Sequence, residues 1–220
     1  MKLYSYYRSS SAWRVRLVLA WKKLAHEYAA VNLAPGVSEQ HAAEFSAVNP
    51  LNQVPTLEWN VGDEVVRLTQ SVAICEYLEE LHPEPSLLPR EPLARARVRQ
   101  IVETVASGIQ PLQNTGTLAE VTRLASAEEA RAWAANAISK GLPALETFVR
   151  SHGGVHAVGN AVTLADVFIV PQLYNARRFE LDLSPYPKLV EIDGRASALD
   201  AFVRAHPDNQ IDSPVRPAAG

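Results

Sequence analysis

Cysteine is nearly absent: Cys75 is the only one in 220 residues. A lone thiol cannot close an internal disulfide, so the sequence points to a reducing compartment and a cytoplasmic location is expected. Long apolar runs are missing too. None approaches the ~18–20 residues of a membrane-spanning helix, and the opening MKLYSYYRSS lacks the apolar centre of a signal peptide. The formal net charge is only −3, and the 21 Lys and Arg residues are scattered rather than run together or interleaved with aromatics. That pattern lacks the basic stripe of a nucleic-acid binder, and neither nucleic acid nor membrane is expected as a partner.

Several chemical signatures are also missing. There is no G-x-x-x-x-G-K-[ST] or G-x-G-x-x-G loop, which leaves nucleotide cofactors without support. The absence of a G-x-S-x-G elbow, and of a base placed to activate a serine, disfavours hydrolase chemistry. Among the six histidines only His152 and His156 are close, in a Gly-containing loop, and metal-site spacing is lacking, so no metal is expected. Cys75 shares a helical side with Ile74, Leu78 and Leu81 and reads as a buried, inert thiol.

What is present is an ordinary soluble composition, 47% hydrophobic and 20% charged, with a change of period along the chain. Leu3 to Tyr6 reads as a strand, Ala12 to Lys23 as a helix, and His26 to Leu33 as a second strand. Ser38 to Phe45 reads as a weaker helix with Ser38 as its N-cap. Val54 to Trp59 and Glu64 to Leu68 are strands joined by the Gly-containing Asn60 to Asp63, and Gln70-Ser71 opens a helix running to Leu81. The order βαβαββα predicts one α/β domain over residues 1–82. Four prolines in HPEPSLLPREP predict a linker at 83–92. Residues 93–220 then predict an all-α domain, with helices at Ala94 to Ile109, Ala127 to Arg150, Leu164 to Phe179 and Ile192 to Ala205. Thr163 and Asp166 form a capping-box start for the third of these, and the Pro- and Ala-rich tail PVRPAAG is expected to fray.

The stretch SSSAWRVR, Ser9 to Arg16, places three hydroxyls between a strand and a helix with arginines in its early turns. Free N–H groups and the dipole at such a helix start favour an anion, and a hydroxyl there can donate to a thiolate or oxyanion. Serines also simply cap helices. The spacing supports both readings equally.

Taken together, RSSSAWRVR (Arg8 to Arg16), NPLNQVPTL (Asn49 to Leu57), TQSVAICEYLEE (Thr69 to Glu80), GIQPLQN (Gly108 to Asn114) and NARRFELDLSPYP (Asn175 to Pro187) resemble the zeta-class glutathione transferases, which include maleylacetoacetate and maleylpyruvate isomerases. The resemblance spans nearly the whole chain. Its first and last segments are specific to the class, whereas QVPTL and QS are shared across thioredoxin-like transferases. It implies a thioredoxin-like domain followed by a helical domain, in a homodimer that binds glutathione. Ser9, Ser10 and Ser11 would form the catalytic turn against the glutathione thiolate, with Ser9 the favoured donor. Pro55 would be a cis-proline, leaving the Val54 backbone to pair with glutathione in strand fashion. Gln70 and Ser71 would hold its γ-glutamyl carboxylate, and Gln40 its glycine end. Gln110 and Asn114, four apart on one helix face, would border the site. Arg8 and Arg178 would take the carboxylates of a small dicarboxylic oxoacid, a task that suits the guanidinium fork. Because Arg177 adjoins Arg178, the register of that second arginine is open.

The implied reaction is a glutathione-dependent cis-trans isomerisation of maleylacetoacetate, as in tyrosine and phenylalanine catabolism, with glutathione regenerated at each turnover. Maleylpyruvate is the alternative substrate, followed by broader transfer to electrophiles or α-haloacids. A non-enzymatic glutathione-fold binding module is the reading from another class. Two departures matter. Many family members resemble SSCSWRVR, whereas this chain has Ser11 in place of that cysteine and Ala12 in place of the next serine, which argues against thiol-dependent side reactions. The segment Glu58 to Thr69 is longer than usual, and Thr115-Gly116-Thr117 replaces a polar run after Asn114 and is expected to leave that side open.

Overall fold

The computed structural model describes residues 1–215. Two compact units result: Met1–Pro85 with the chain from Leu199 on, and Ser86–Ala198. The fold class matches the sequence reading, with a four-stranded mixed sheet and helices in the first unit and helices in the second.

In the first unit, β1 (Lys2–Ser5) leads through a turn into α1 (Ser10–Trp21), and β2 (Glu27–Ala30) returns parallel to β1 with Leu3 opposite Tyr28. Parallel pairing with an intervening helix is the βαβ arrangement. After a 3₁₀ turn (Glu39–His41) and α2 (Ala43–Ser46) come β3 (Thr56–Val61) and β4 (Glu64–Thr69), then α3 (Ser71–Leu81). The sheet order is β2-β1-β3-β4, with β3 antiparallel to both neighbours. Only Gly62-Asp63 form the hairpin turn, tighter than the expected Asn60 to Asp63. Gly62, at φ +59°, occupies the first central position, where a type II′ turn needs glycine. Leu3, Leu57, Ile74 and Leu78 are fully buried, and α1 is buried nearly all round: Val15, Leu17, Val18 and Leu19 are at 0% exposure.

Some local expectations change. The second strand shortens to Glu27–Ala30. Ser38 does not cap a helix; it sits in the left-handed region at φ +50° with no capping bond from its side chain, and the helix after it is the single turn Ala43–Ser46. The apolar side chains of that segment, Phe45 with Val48 and Leu33, pack with Tyr6, Ala12, Val31 and Val54.

The second unit holds α4 (Pro92–Glu103), a π-helical stretch (Thr104–Ile109), a 3₁₀ turn (Gln110–Gln113), α5 (Thr115–Leu124), α6 (Ala127–His152), α7 (Leu164–Arg178) and α8 (Pro187–Ser197). The expected helix Ala94 to Ile109 therefore ends its α-helical part at Glu103. Pro111 has no N–H to give a continued ladder, and Gly108 is a poor helix former, so the backbone changes hydrogen-bond spacing instead. Thr115-Gly116-Thr117 begins α5, and the Thr117 hydroxyl donates to the Pro111 carbonyl at 2.7 Å. Most of α7 is buried, as suits a central helix. Its capping box is present: Asp166 Oδ2 accepts from the Thr163 N–H at 2.8 Å and from its hydroxyl at 3.0 Å.

The expected helix Ile192 to Ala205 is two helices. The first, α8, ends at Ser197; Leu199 is extended, and α9 (Asp200–Ala205) starts afresh and packs on α1 in the first unit. The compact units divide at 85/86 and 198/199, where the sequence reading has a linker at 83–92 and a single helical domain over 93–220. Side chains of α1 explain why the last segment joins the first unit: Arg16 Nε donates to the Ala205 carbonyl at 3.3 Å, and the Trp13 and His206 rings meet edge-on at 5.3 Å. Of the tail PVRPAAG, all but Pro214 and Val215 lies outside the described residues.

Candidate functional site

The junction between β1 and α1 is built around Ser9. Ser9 is the N-cap of α1, with extended backbone, and its Oγ accepts from the Ala12 N–H at 3.2 Å. The hydroxyl proton is still available to an outside acceptor, since a serine both donates and accepts. Ser10 is buried and Ser11 half-buried in the first helical turn, which has no acidic residue. That turn's N–H groups and positive dipole end are therefore not offset by a carboxylate of the helix itself. Arg8 is half-buried and immediately precedes this turn.

The arginines of SSSAWRVR do not line the helix mouth; their guanidinium groups turn inward. Arg14 is 1% exposed and Arg16 is 2% exposed. Arg16 donates to the Tyr7 carbonyl at 2.8 Å, the Ser5 hydroxyl at 3.0 Å and the Tyr6 carbonyl at 3.2 Å. Arg14 Nη1 donates to the Ser71 hydroxyl at 3.3 Å. Burial pulls both guanidinium groups down to about 10, which leaves them charged at neutral pH. These cations hold polar atoms of the site in place, a role that sequence reasoning misses. The available signal is a charge at the second and fourth positions after Ala12 in a helix otherwise apolar all round.

A second part of the site is the loop before β3. Asn49 is buried, and its side chain donates to the Gln53 carbonyl at 2.6 Å while accepting from the Leu51 N–H at 3.0 Å. It thereby shapes the approach to Val54, whose peptide bond to Pro55 is cis, as the resemblance implies. The N–H and C=O of Val54 carry no hydrogen bond among the described residues, so one extended residue could pair there. Gln70, exposed and at φ +69°, precedes α3, whose first residue is the buried Ser71. Gln40 is half-buried, and its Oε1 is buried without a hydrogen-bond partner among the described residues.

The candidates in the second unit fall out differently. Gln110 starts the 3₁₀ turn and Asn114 is the extended residue that ends it, so the two do not share a helix face. The side chain that this turn buries is Gln113, which donates to Gln172 Oε1 at 2.8 Å. Arg177 is paired with Asp193 at 2.6 Å, whereas Arg178 is exposed, with its guanidinium 5.2 Å from the Phe179 ring centre and Nη1 3.5 Å from Asn175 Oδ1. Of the two close histidines, His152 ends α6 and His156 is buried with Nδ1 3.3 Å from Asp166 Oδ1, inside the loop that leads to α7. Among the described residues no group of three or more His, Cys, Asp or Glu could hold a metal ion.

Cys75 is fully buried in α3, and burial pushes its thiol up to about 12 despite the nearby Arg14 guanidinium. Only the thiolate is reactive, so the native protein at pH 8 is expected to resist an aromatic disulfide reagent. One equivalent should react once the chain is unfolded in denaturant. Stoichiometric labelling of the folded protein within minutes would contradict this placement.

Two family models match the chain: "Glutathione S-transferase, N-terminal domain" over residues 3–86 and "Glutathione S-transferase, C-terminal domain" over residues 118–201. The sequence is 45% identical to maleylacetoacetate isomerase of Rattus norvegicus, over 97% of this chain and 95% of that protein. Among solved structures it is similar to maleylacetoacetate isomerase from Anaeromyxobacter dehalogenans with bound GSH in the active site, at 52% identity and a TM-score of 0.89, covering 97% of each chain. It is also similar to the holo structure of a maleyl pyruvate isomerase described as a bacterial glutathione S-transferase of the zeta class, at 40% identity and a TM-score of 0.90, covering 97% of this chain and all of the other.

Proposed function

The chain belongs to the zeta class of the glutathione transferase family, and from that premise we propose that it is a glutathione-dependent cis-trans isomerase of maleylacetoacetate. The observation that carries the reading is the Ser9 to Ser11 turn, where a spare hydroxyl donor and the N-terminus of α1 come together. Glutathione fits the donor and acceptor set of the first unit: the unpaired Val54 backbone suits its cysteinyl residue, the orphaned Gln40 Oε1 an N–H of its glycine end, and Gln70 with Ser71 at the start of α3 its γ-glutamyl carboxylate. When bound, it supplies a thiolate that adds reversibly to a cis double bond. The Ser9 hydroxyl donates a hydrogen bond to that sulfur, and the α1 N-terminus favours its negative charge, so the site selects the ionised form. Ser10 and Ser11 are the neighbouring candidate donors. Arg14 keeps the Ser71 hydroxyl in place from within the core.

We assign one carboxylate of a dicarboxylic oxoacid to Arg8. Of the arginine pair in α7, Arg178 is assigned to carboxylate binding on the family resemblance, and Arg177 is paired with Asp193. Gln110 and Asn114 remain candidate polar contacts, each from its own backbone setting. With Ser11 where many relatives have a cysteine, the proposed repertoire centres on isomerisation. We also propose a cytoplasmic homodimer acting in aromatic amino-acid catabolism, supported by the single cysteine and by the family resemblance. Among the described residues no helix is long and apolar enough to cross a membrane.

The 40%-identical maleyl pyruvate isomerase favours a second substrate reading. An absorbance assay of both cis acids, with and without glutathione, decides. The expected result is turnover only with glutathione and a higher kcat/KM on maleylacetoacetate. A higher kcat/KM on maleylpyruvate would transfer the assignment, and turnover without glutathione would overturn the mechanism.

A further inference from the structure

The turn that presents Ser9 is held by groups that the isomerisation chemistry leaves unused. Tyr7 lies two residues before Ser9, and side chains hold both of its backbone polar groups. Its carbonyl accepts from Arg16 Nη2 at 2.8 Å, and its N–H donates to Asp212 Oδ2 at 2.9 Å. The other carboxylate oxygen, Asp212 Oδ1, accepts from the Tyr28 hydroxyl at 2.7 Å. Tyr28 belongs to β2 and pairs across the sheet with Leu3, so the carboxylate is referenced to the sheet itself. Burial pushes the Tyr28 phenol up, which keeps it a neutral donor at any working pH.

Asp212 is not carried on a loose end. The Gln210 side chain donates to the Arg204 carbonyl at 2.9 Å and the His206 carbonyl at 2.8 Å, Asn209 donates to the Val203 carbonyl at 2.7 Å, and the Ser213 N–H donates to the Gln210 carbonyl at 3.1 Å. These bonds fold the segment after α9 into a fixed loop whose charged side chain reaches the β1–α1 turn, about 200 residues earlier in sequence.

We propose that Asp212 is a positioning residue for the thiolate-holding turn: its carboxylate, anchored by Tyr28, fixes the Tyr7 peptide and through it the direction of the Ser9 hydroxyl. This rests on the assignment of Ser9 as the thiolate donor. The Ser9 N–H itself donates to the Tyr6 carbonyl at 3.0 Å, so a shift of the Tyr6–Tyr7 backbone moves Ser9 with it. Misplacing a reacting group by ~1 Å can cost ~100-fold in rate, and two side-chain clamps on one residue oppose such a shift.

The test measures, in the full chain, the ultraviolet thiolate absorbance of bound glutathione against pH, together with kcat, the glutathione KM and thermal stability. Asp212→Ala is expected to raise the apparent pKa of the bound thiol by ~1 and lower kcat near pH 7 by about tenfold, with the glutathione KM nearly unchanged, because the tripeptide is gripped elsewhere. Asp212→Asn keeps one acceptor oxygen and should lose less. Tyr28→Phe removes only the anchor and should move the thiol pKa in the same direction by a smaller amount; it decides the matter if Asp212→Ala does not fold. A folded Asp212→Ala with the parent's thiol pKa and kcat, differing only in stability, overturns the proposal. Ser9→Ala in parallel separates the two claims. A raised thiol pKa in Ser9→Ala but not in Asp212→Ala defeats the clamp alone, and the reverse pattern defeats the Ser9 assignment on which the clamp is built.

Discussion

Ser9→Ala is expected to lower glutathione-dependent isomerisation by ~100-fold or more near neutral pH, the loss that follows removal of one donor to a developing or resident anion in a protected site. The glutathione KM should change far less, since Val54, Gln70 and Ser71 lie outside the substitution. The pH profile carries the diagnosis. Without the Ser9 hydroxyl the bound thiol has a higher pKa; each rise of one in that pKa lowers the thiolate fraction below it about tenfold, and activity partly returns as pH rises. A stability effect accompanies it, because Ser9 Oγ also caps α1 through the Ala12 N–H, a contact worth ~1 kcal/mol. Ser9→Thr keeps both hydroxyl functions and should retain most of the activity and the stability, which ties both losses to the hydroxyl. If Ser9→Ala turns over like the parent while Ser10→Ala or Ser11→Ala loses the activity, the donor is one of those two.

Much of this arrangement is legible in the sequence. The change from alternating to helical period between Leu3 and Lys23, the strand near Pro55 and the apolar helix after Ser71 all occur in the structure, the first three elements with bounds shifted by one or two residues so that Pro55 precedes its strand, because in each case local pattern and burial agree. What is not legible depends on contacts distant in sequence. The arginines at 14 and 16 read as a cationic helix start, yet both are buried, and only the tertiary fold brings Ser71, the Tyr7 carbonyl and the Ala205 carbonyl to them. Asp212 has no neighbour in sequence that hints at Tyr7 or Tyr28. Gln110 and Asn114 escape a sequence reading for a local reason: an apolar spacing continuous through Ile109 conceals the change from α to π to 3₁₀ hydrogen bonding, and Gly108 and Pro111 are the visible warnings. The Ser197 to Asp200 break inside an apolar-spaced segment has no proline or glycine at all, so periodicity alone bridges it.

Breaking the ion pair between Lys22 and Glu79 should have the largest effect on stability. Lys22 follows α1 as its C-cap and its Nζ lies 2.6 Å from Glu79 Oε2 in α3, with side-chain exposures of 0% and 6%. The same ammonium donates to the His82 carbonyl at 2.6 Å and the Pro85 carbonyl at 3.2 Å, so it also caps the end of α3, where the helix dipole favours a cation. Either single change, Lys22→Met or Glu79→Gln, strands a buried charge and is expected to cost ~3–5 kcal/mol, read as a lower urea midpoint in circular dichroism and tryptophan fluorescence. The double change Lys22→Met with Glu79→Leu removes both charges and should recover much of that loss, though the His82 and Pro85 carbonyls still lose their donor. Additive single losses in the double variant would show that the two charges do not depend on each other. Function separates this pair from the catalytic turn: Ser9 and Ser71 sit at the opposite ends of α1 and α3, so kcat per folded molecule at low temperature should stay near the parent's. A pair that only holds two helix ends together lowers the amount of active protein without altering the pKa of the bound thiol, whereas loss of the Ser9 hydroxyl raises that pKa.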